Sequence, residues 1–364
     1  MPGASPLLIA LIPFESMKTL VVTGLFSPLG SAVARWAADA GVRVLGVDIK
    51  PMTRPIPGIE FIHADIRNPL FPELLKAEQV DTIFHSAFRW RVRRSEAIFE
   101  SNVMGTMKLM GAAALAGVEK VVFPSSTFVY GAHPNNPYFM TENNDFQGPA
   151  RDAYVRELRD IETFLNGFRR QHPEITITVL RFANILGRGY SSSLARYLTL
   201  PVIPTLMGYD PLMQTLHFDD ALRAAIQALA EEHPGVYNVA AAPPLPLMKI
   251  IRQTGGHSVP ILHPLAYTGQ NLGSMVFRKG KNILPIHWDY LRFPWTAATD
   301  KIQEEWGFTP EYDAETTIAL FAEERQARRN GYSVQKAAKT LSGAAISAAN
   351  QGVRQAQAIL GWDD

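Results

Sequence analysis

The chain has 364 residues, of which 47% are hydrophobic and 19% charged, and its net charge at pH 7 is +1. A chain of this length buries one large core or a core with a smaller lobe, and a charge near zero excludes general electrostatic capture of nucleic acid or anionic membrane. Because the chain contains no cysteine, disulfides, thiolate metal ligands and a cysteine nucleophile are excluded. We therefore expect a cytoplasmic protein that binds a small molecule, and neither nucleic acid nor membrane.

The first 17 residues precede the first strand pattern and are predicted to form an N-terminal extension. Their apolar stretch, residues 6–14, is shorter than the roughly 20 residues that a membrane-spanning helix needs, and it contains Pro13. It also lacks the basic leader and the small-residue cleavage site of a secretory signal. An export function is therefore not expected for this segment.

Short apolar runs alternate with helical patterns over the first half of the chain. This alternation predicts an α/β fold, a Rossmann-type doubly wound parallel sheet with helices on both faces. Ligands bind such sheets at the carboxyl ends of the strands. The predicted strands are 19–23, 42–47, 82–84, 120–124 and 176–180, and the predicted helices are 29–40, 95–116 and 153–170.

The turn after the first strand has the sequence TGLFSPLG, residues 23–30, and the second strand is followed by Asp48. A glycine turn that opens a helix lets a pyrophosphate approach the backbone and the positive helix end, and a carboxylate about twenty residues later binds a ribose hydroxyl. The pattern predicts a bound dinucleotide. Asp48 favours NAD over NADP because it would repel a ribose phosphate, although Lys50 and Arg54 follow it closely.

The regular alternation ends near residue 183, where Pro and Gly become frequent, and helix and strand patterns return at 219–232 and 236–239. A smaller lobe therefore interleaves with the sheet. The C-terminal helix, 333–360, has a mainly alanine face that is expected to pack on the body or on a second subunit. The predicted regions are an extension over 1–17, an NAD-binding Rossmann domain over 18–183 with returns near 215–240, a mainly substrate-binding lobe over 184–325 and a helical extension over 326–364.

From about residue 18 to residue 325 the chain resembles the extended short-chain dehydrogenases/reductases, particularly the NAD-dependent epimerase/dehydratase family. Thr23, Gly24 and Gly30 match the family's Thr-Gly-x-x-Gly-x-x-Gly motif, and Ser27 stands where the family has its middle glycine. A serine fits there if its hydroxyl donates to a phosphate oxygen. The resemblance implies NAD as the cofactor.

Further matches follow in the family's order. Asp65-Ile66 resembles the pair that contacts adenine, and residues 85–87 (His-Ser-Ala) resemble the loop under the cofactor. Asn102 aligns with the helix asparagine that steadies the active-site backbone. His85, taken by itself, is typical of a structural histidine. The cofactor-binding residues that the resemblance implies are Gly24, Phe26, Ser27, Gly30, Asp48, Asp65, Ile66, Ser86, Ala87 and Asn102.

The catalytic residues that the resemblance implies are Ser126 and Tyr154. Ser126 lies in the stretch 125–131 (SSTFVYG), and it would hydrogen-bond the substrate oxygen with which Tyr154 exchanges a proton. The family's lysine, at i+4 from the tyrosine, is replaced by Leu158, so the charge that lowers the tyrosine pKa is lost. Arg151 and Arg159 have spacings from which a long side chain could bend back toward Tyr154. An ordinary structural role for a half-buried Tyr154 also stays open.

Downstream, residues 180–187 (LRFANILG) resemble the strand and loop that contact the nicotinamide amide and the substrate, and residues 217–220 resemble the segment that closes the substrate lobe. Asp219 or Asp220 is equally plausible as the N-cap of a helix over 221–230. Scattered basic residues in the second lobe, Arg196 among them, are compatible with a phosphate contact or with a solvated surface. The predicted substrate-binding residues are Asn184, Arg188 and His217.

We expect an oxidoreductase or epimerase that acts on a hydroxyl or keto group of a nucleotide sugar or related alcohol. Two alternatives stay open. The first is a lipophilic alcohol or ketone as substrate, because apolar runs over 198–207 and 283–295 could line a pocket. The second is a catalytically silent NAD-binding protein, because Leu158 replaces the family's lysine. No metal site is expected, since the nine histidines show no ligand spacing. The resemblance also implies a homodimer formed through helices 95–116 and 153–170.

Overall fold

The computed structural model describes residues 17–89, 95–147, 153–268 and 284–328. Its centre is a seven-stranded parallel sheet in the order β12-β7-β5-β4-β1-β2-β3. The predicted Rossmann-type doubly wound sheet is therefore confirmed. The strands are β1 (Thr19–Thr23), β2 (Arg43–Asp48), β3 (Ile59–His63), β4 (Thr82–His85), β5 (Lys120–Ser126), β7 (Thr176–Phe182) and β12 (Gly235–Val239).

Helices cover both faces of the sheet because its strands are apolar on both sides. Leu20 and Val22 of β1 are buried in one core cluster and Val21 in another, as expected when successive side chains point to opposite faces. The first cluster includes α1 (Pro28–Asp39) and α7 (Phe218–Ala230), and the second includes α2 (Phe71–Ala77), α4 (Gly105–Ala116) and α5 (Ala153–Gln171).

The predicted helix 95–116 is divided. It begins as α3 (Glu96–Phe99), passes through one wide π-helical turn at Glu100–Met104 and continues as α4. Asn102 is buried in the wide turn, and Thr106 Oγ1 donates to Asn102 O at 2.6 Å. Single π turns of this kind are frequent at functional sites, and this one turns the Asn102 amide toward the carboxyl edge of the sheet.

The second lobe packs around its own apolar cluster. Leu198, Leu206, Tyr290 and Trp295 are buried there, so these parts of the two apolar runs form core. The short strands pair as β6 (Phe139–Met140) with β15 (Thr296–Ala297), β8 (Asn184–Leu186) with β11 (Thr215–His217), β9 (Ile203–Leu206) with β14 (Ser258–Ile261), and β10 (Leu212–Met213) with β13 (Leu245–Pro246). The helices are α6 (Ser193–Leu198), α8 (Leu247–Gln253), α9 (His263–Thr268), α10 (Asp300–Trp306) and α11 (314–328).

The N-cap of α7 differs from the prediction. His217, and not Asp219 or Asp220, caps the helix, and its Nδ1 accepts from Asp219 N at 3.2 Å. Asp220 is fully buried and accepts from Glu311 N at 2.8 Å and Tyr312 N at 3.0 Å. It therefore anchors the C-terminal part of the lobe, which a local capping rule does not reveal.

A buried ion pair links α5 to the sheet. Arg181 Nε and Nη2 donate to Glu162 Oε2 at 2.9 and 2.6 Å, and Arg181 Nη1 donates to Tyr130 OH at 2.8 Å. Tyr130 OH in turn donates to Asn238 Oδ1 at 2.7 Å, and burial raises the pKa of Tyr130 to about 12. Four elements, α5, β7, β12 and the turn after β5, are thereby joined through one network.

Among the residues that the structure describes, no helix is long and apolar enough to cross a bilayer, and no group of three or more potential ligands is suited to a metal ion. The predicted extension 1–17 lies almost entirely outside those residues, and so does the predicted C-terminal helix 333–360.

We predict that Arg181→Met lowers the free energy of unfolding by about 3–5 kcal/mol, because it leaves the Glu162 carboxylate buried without its cation. Denaturation followed by tryptophan fluorescence measures this. Glu60→Gln is the control, since it removes an ion pair with Arg43 that is exposed to solvent and should leave the midpoint unchanged. Equal midpoints for both variants would contradict the prediction.

Candidate functional site

The turn after β1 requires its two glycines because backbone segments pass close to it. Gly24 has a φ of +69°, and a Cβ there would lie 2.6 Å from the backbone of Ala87 in the loop after β4. A Cβ on Gly30 would lie 2.7 Å from Gly24 O and from Ser27 Oγ. The predicted turn residues and the loop beneath them are thus brought together.

Ser27 caps α1. Its Oγ accepts from Gly30 N at 3.0 Å and donates to Ser86 Oγ at 3.0 Å, and Ser86 Oγ donates to Thr23 O at 2.8 Å. The serine that replaces the family's middle glycine therefore directs its hydroxyl into the protein, where it stiffens the turn.

Asp48 lies at the end of β2, beside the start of α1. Its Oδ2 accepts from Phe26 N at 3.2 Å and its Oδ1 from Lys50 N at 2.9 Å, so two main-chain amides fix the carboxylate. Three features here suit a dinucleotide: a helix N-terminus, a glycine turn that leaves no room for a Cβ, and a fixed carboxylate. These residues fit NAD.

The two residues predicted at the adenine have different surroundings. Asp65 forms a bidentate ion pair with Arg67, with Nη2 to Oδ2 at 2.6 Å, and this guanidinium lowers the pKa of the Asp65 carboxyl. Ile66 is buried, and its Cδ1 would lie 3.2 Å from a Cβ on Gly105 of α4.

Asn102 clamps the loop that follows β4. Its Oδ1 accepts from Arg89 N and its Nδ2 donates to Arg89 O, both at 2.9 Å, and Nδ2 also donates to the buried Glu157 Oε2 at 2.6 Å. Burial raises the pKa of the Glu157 carboxyl. The contact from Glu157 was not predicted, because it joins residues 55 positions apart.

His85 is a satisfied structural residue. Thr106 gives its hydroxyl proton to Asn102 O, so it accepts from His85 Nε2 at 2.9 Å, and His85 Nδ1 accepts from Thr23 Oγ1 at 2.6 Å. Burial lowers the pKa of His85 to about 4, so the ring stays neutral near pH 7.

Ser126 and Tyr154 meet at the carboxyl edge of the sheet. Ser126, the last residue of β5, accepts from Phe128 N at 3.3 Å, and its hydroxyl lies near enough to the Tyr154 phenol to oppose in part the rise in that phenol's pKa. The Tyr154 ring packs edge-on against Phe88, 5.5 Å between centroids. Burial raises the pKa of this phenol well above its usual range, so it is protonated at neutral pH.

Leu158 is a core residue. It is 2% exposed and lies in the same apolar cluster as Val129 and Ile161. Arg159, one position later, donates from Nε to Val129 O and from Nη2 to Gln147 O, both at 2.7 Å, so it stabilises the turn after β5. Arg151 lies outside the described residues.

The three predicted substrate residues have separate contacts. The buried Asn184 donates from Nδ2 to Gln214 O at 3.1 Å, and its Oδ1 accepts no hydrogen bond from any residue that the structure describes. Arg188 is paired with Asp219, with Nε to Oδ1 at 2.5 Å. His217 lies against the Tyr312 ring at 4.1 Å. Asn184 therefore has a buried acceptor that no described residue satisfies, whereas Arg188 and His217 contact other residues of the lobe.

A cavity of about 690 Å³ lies in the second lobe, between the loop 187–191, α6, the loop 255–257 and α11. Tyr190, Arg196, His257, Phe321, Arg325 and Arg328 contribute to its walls. Of these residues, only Arg196 was considered from the sequence, as a possible phosphate contact, because the cavity joins three stretches that are far apart along the chain.

The sheet, the glycine turn and the Ser126–Tyr154 pair define an extended short-chain dehydrogenase/reductase. The model of the NAD dependent epimerase/dehydratase family matches residues 20–240, and the chain belongs to that family. The predicted cofactor, NAD, is confirmed because the family to which the chain belongs is NAD-dependent.

Relatives support the assignment. An uncharacterized protein of Mycobacterium tuberculosis is 32% identical over 317 residues, which cover 84% of this chain and 82% of that protein. UDP-glucose 4-epimerase of Neisseria meningitidis serogroup C is 28% identical over 187 residues, 47% of this chain and 54% of that protein.

Solved structures share the fold. UDP-glucose 4-epimerase of Thermotoga maritima, determined with UDP-glucose, has a TM-score of 0.66 at 19% identity and covers 85% of this chain and 99% of its own. A dTDP-glucose 4,6-dehydratase of Streptomyces venezuelae, determined with NAD, has a TM-score of 0.64 at 21% identity and covers 86% and 98%.

We predict that Gly24→Ala weakens NAD binding at least about tenfold, because the methyl group pushes the turn away from the Ala87 backbone and strains a positive φ. Isothermal titration calorimetry with NAD measures the change. Gly41→Ala is matched to it, with a φ of +83° and no atom within 4 Å of the added Cβ, and it should leave the affinity unchanged. The same loss in both variants would contradict a role for Gly24.

We predict that Leu158→Lys does not restore the family's arrangement but lowers the free energy of unfolding by about 3 kcal/mol or more, because it places an ammonium in an apolar cluster. Leu158→Met is the control and should cost less than about 1.5 kcal/mol. Denaturation midpoints of the three proteins provide the comparison. A lysine variant as stable as the methionine variant would show that the side chain escapes the core.

Proposed function

We propose that the protein is an NAD-dependent oxidoreductase or epimerase that acts on a hydroxyl or keto group of a nucleotide sugar or a related alcohol. The observation that carries the proposal is the closeness of Ser126, at the end of β5, to Tyr154, at the start of α5, at the same edge of the sheet as the glycine turn. A cofactor site and a proton-transfer pair at one edge are what a hydride transfer to or from a carbon–oxygen bond requires.

The residues proposed to hold NAD come from four strand ends. The start of α1, with Gly24, Ser27 and Gly30, receives the pyrophosphate, and Asp48 binds the ribose hydroxyls. Asp65 and Ile66 contact the adenine, while Phe26, Ser86, Ala87 and Asn102 complete the wall or fix the loop beneath it. When bound, NAD supplies a nicotinamide C4 that accepts or gives a hydride.

Tyr154 is the proposed donor and acceptor of the transferred proton. Ser126 orients the substrate oxygen, and the neutral Tyr154 hydroxyl is ready to donate its proton when that oxygen gains negative charge during ketone reduction. In the reverse direction the phenol oxygen must accept the proton of the alcohol. That direction needs a positive charge nearby, because burial alone disfavours the phenolate.

The nucleotide-sugar substrate is proposed from relatives and from one buried acceptor. UDP-glucose 4-epimerase is the name of a relative over about half of this chain. Asn184 Oδ1 is buried and unpaired within the described residues, so a substrate hydroxyl that reached it would satisfy this acceptor. Arg188 and His217 would close the lobe around it. The lipophilic substrate has less support, because Leu198, Leu206, Tyr290 and Trp295 are core.

A catalytically silent NAD-binding protein is the second candidate, and the burial of Leu158 favours it. A homodimer formed through α4 and α5 is proposed with either candidate, since Met104 and Leu115 on this helical segment are exposed.

We predict that Tyr154→Phe lowers kcat at least about 100-fold and that Ser126→Ala lowers it at least about tenfold, since positioned proton transfer contributes rates of this order. The assay follows NADH absorbance and product composition with UDP-sugars, dTDP-sugars and simple ketones. NAD affinity serves as the folding control and should stay within about twofold. Normal NAD binding by the wild type without turnover of any substrate would overturn the proposed enzymatic function and favour a catalytically silent NAD-binding protein.

A further inference from the structure

The 690 Å³ cavity of the second lobe is separate from the site proposed for NAD and the substrate. Helix α6 lines it with Ala195, Arg196 and Thr199, whereas Leu194 and Leu198 of the same helix are buried in the core of the lobe. Within the described part of the chain, its wall includes none of the residues proposed to hold NAD, to exchange the proton or to contact the substrate. The cavity is therefore a second space that the proposed reaction does not use.

The loop after β8 forms part of the wall in a backbone conformation that side chains rarely adopt. Gly187, Arg188 and Gly189 have φ angles of +97°, +46° and +72°, and of these Arg188 alone carries a Cβ. Glu324 on α11 holds the loop, since its Oε1 accepts from Arg188 N at 2.8 Å. A Cβ on Gly189 would lie 2.6 Å from Arg328 Nη2, so this guanidinium lies directly against the loop. A backbone held in this way is typical of ligand-binding sites.

The wall of the cavity carries an excess of positive charge. Arg196, Arg325 and Arg328 contribute three guanidiniums, and Glu324 contributes the one carboxylate of the described wall. His257 adds a further positive charge when it is protonated. Guanidiniums that share one cavity repel each other, and a bound anion relieves this repulsion. The charge of the wall therefore favours an anionic ligand.

Two of the guanidiniums are oriented by neutral acceptors. Arg196 Nε donates to Ser192 O at 3.3 Å, and Arg325 Nη1 donates to Thr254 O at 2.9 Å. A main-chain carbonyl orients a guanidinium without cancelling its charge, and the group has five N–H donors in all. Oriented guanidiniums bind phosphate through paired hydrogen bonds, so phosphate is the anion that suits this wall best.

We propose that this cavity binds a small phosphorylated metabolite, whose phosphate groups are held by Arg196, Arg325 and Arg328. The volume of 690 Å³ lies within the range of about 300–1,000 Å³ that is typical of ligand pockets, and a lone phosphate ion would leave most of it empty. The ligand therefore carries an organic group, for which Tyr190 and Phe321 supply ring surfaces in the wall. The site does not depend on the proposed reaction.

The first experiment titrates inorganic pyrophosphate by calorimetry into the full chain saturated with NAD. One pyrophosphate per chain is expected to bind. Arg196→Gln and Arg325→Gln should each weaken its affinity about tenfold or more, because each removes a charge-assisted hydrogen bond. Arg252→Gln is the matched control, since Arg252 is an exposed arginine of α8 outside the wall, and it should change the affinity less than about twofold. No binding by the wild type, or wild-type affinity in both cavity variants, would overturn the proposal.

The second experiment locates the bound anion and tests for the organic group. Asn184→Ala should bind pyrophosphate as the wild type does, whereas a loss of binding would assign the anion to the proposed substrate site and overturn a separate one. ADP, titrated under the same NAD saturation, should bind more tightly than pyrophosphate, and equal affinities would overturn the organic ligand. NAD affinity is the folding control for every variant. Arg325→Lys, which keeps the charge, should have an affinity between those of wild type and Arg325→Gln.

Discussion

The buried carboxylate of Glu162 is the constraint on which the candidate site depends. It accepts from Ser125 Oγ on β5 and from the Arg181 guanidinium on β7, and it lies two turns after Tyr154 on α5. Ser125 immediately precedes Ser126. The same carboxylate therefore sets the register of α5 against the strand that carries Ser126, and the separation of Tyr154 from Ser126 follows from this anchor.

A second clamp acts at the neighbouring strand end. Asn102 holds both the main-chain N–H and the C=O of Arg89 and is itself held by Glu157 on α5. One helix thus carries Tyr154 and two buried acidic residues that fix β5 and the loop after β4. Replacing either acidic residue would disturb the part of the site that it fixes, whereas Leu158 contributes only to the apolar packing of this helix.

Much of this architecture could be predicted from the sequence, because β1, β2, β5 and β7 are continuous apolar runs and the glycine turn has a local physical cause. The edge strand β3 lacks such a run, since Glu60 and His63 face solvent. Capping of α7 by His217 and the buried contacts of Asp220 and Glu157 were not predictable in this way. Each depends on a contact between distant segments, and periodicity contains no information about such contacts.

The direction of the hydroxyl bonds in the first turn has a consequence for ligand recognition. The proton of Ser27 is given to Ser86, and the proton of Ser86 to the carbonyl of Thr23, so neither hydroxyl has a proton left for an incoming anion. An anion bound at this helix start, as proposed for the diphosphate of NAD, would therefore meet peptide dipoles of the first helical turn and not these two hydroxyl protons. Peptide dipoles do not titrate, so their contribution to the proposed diphosphate binding would not change with pH.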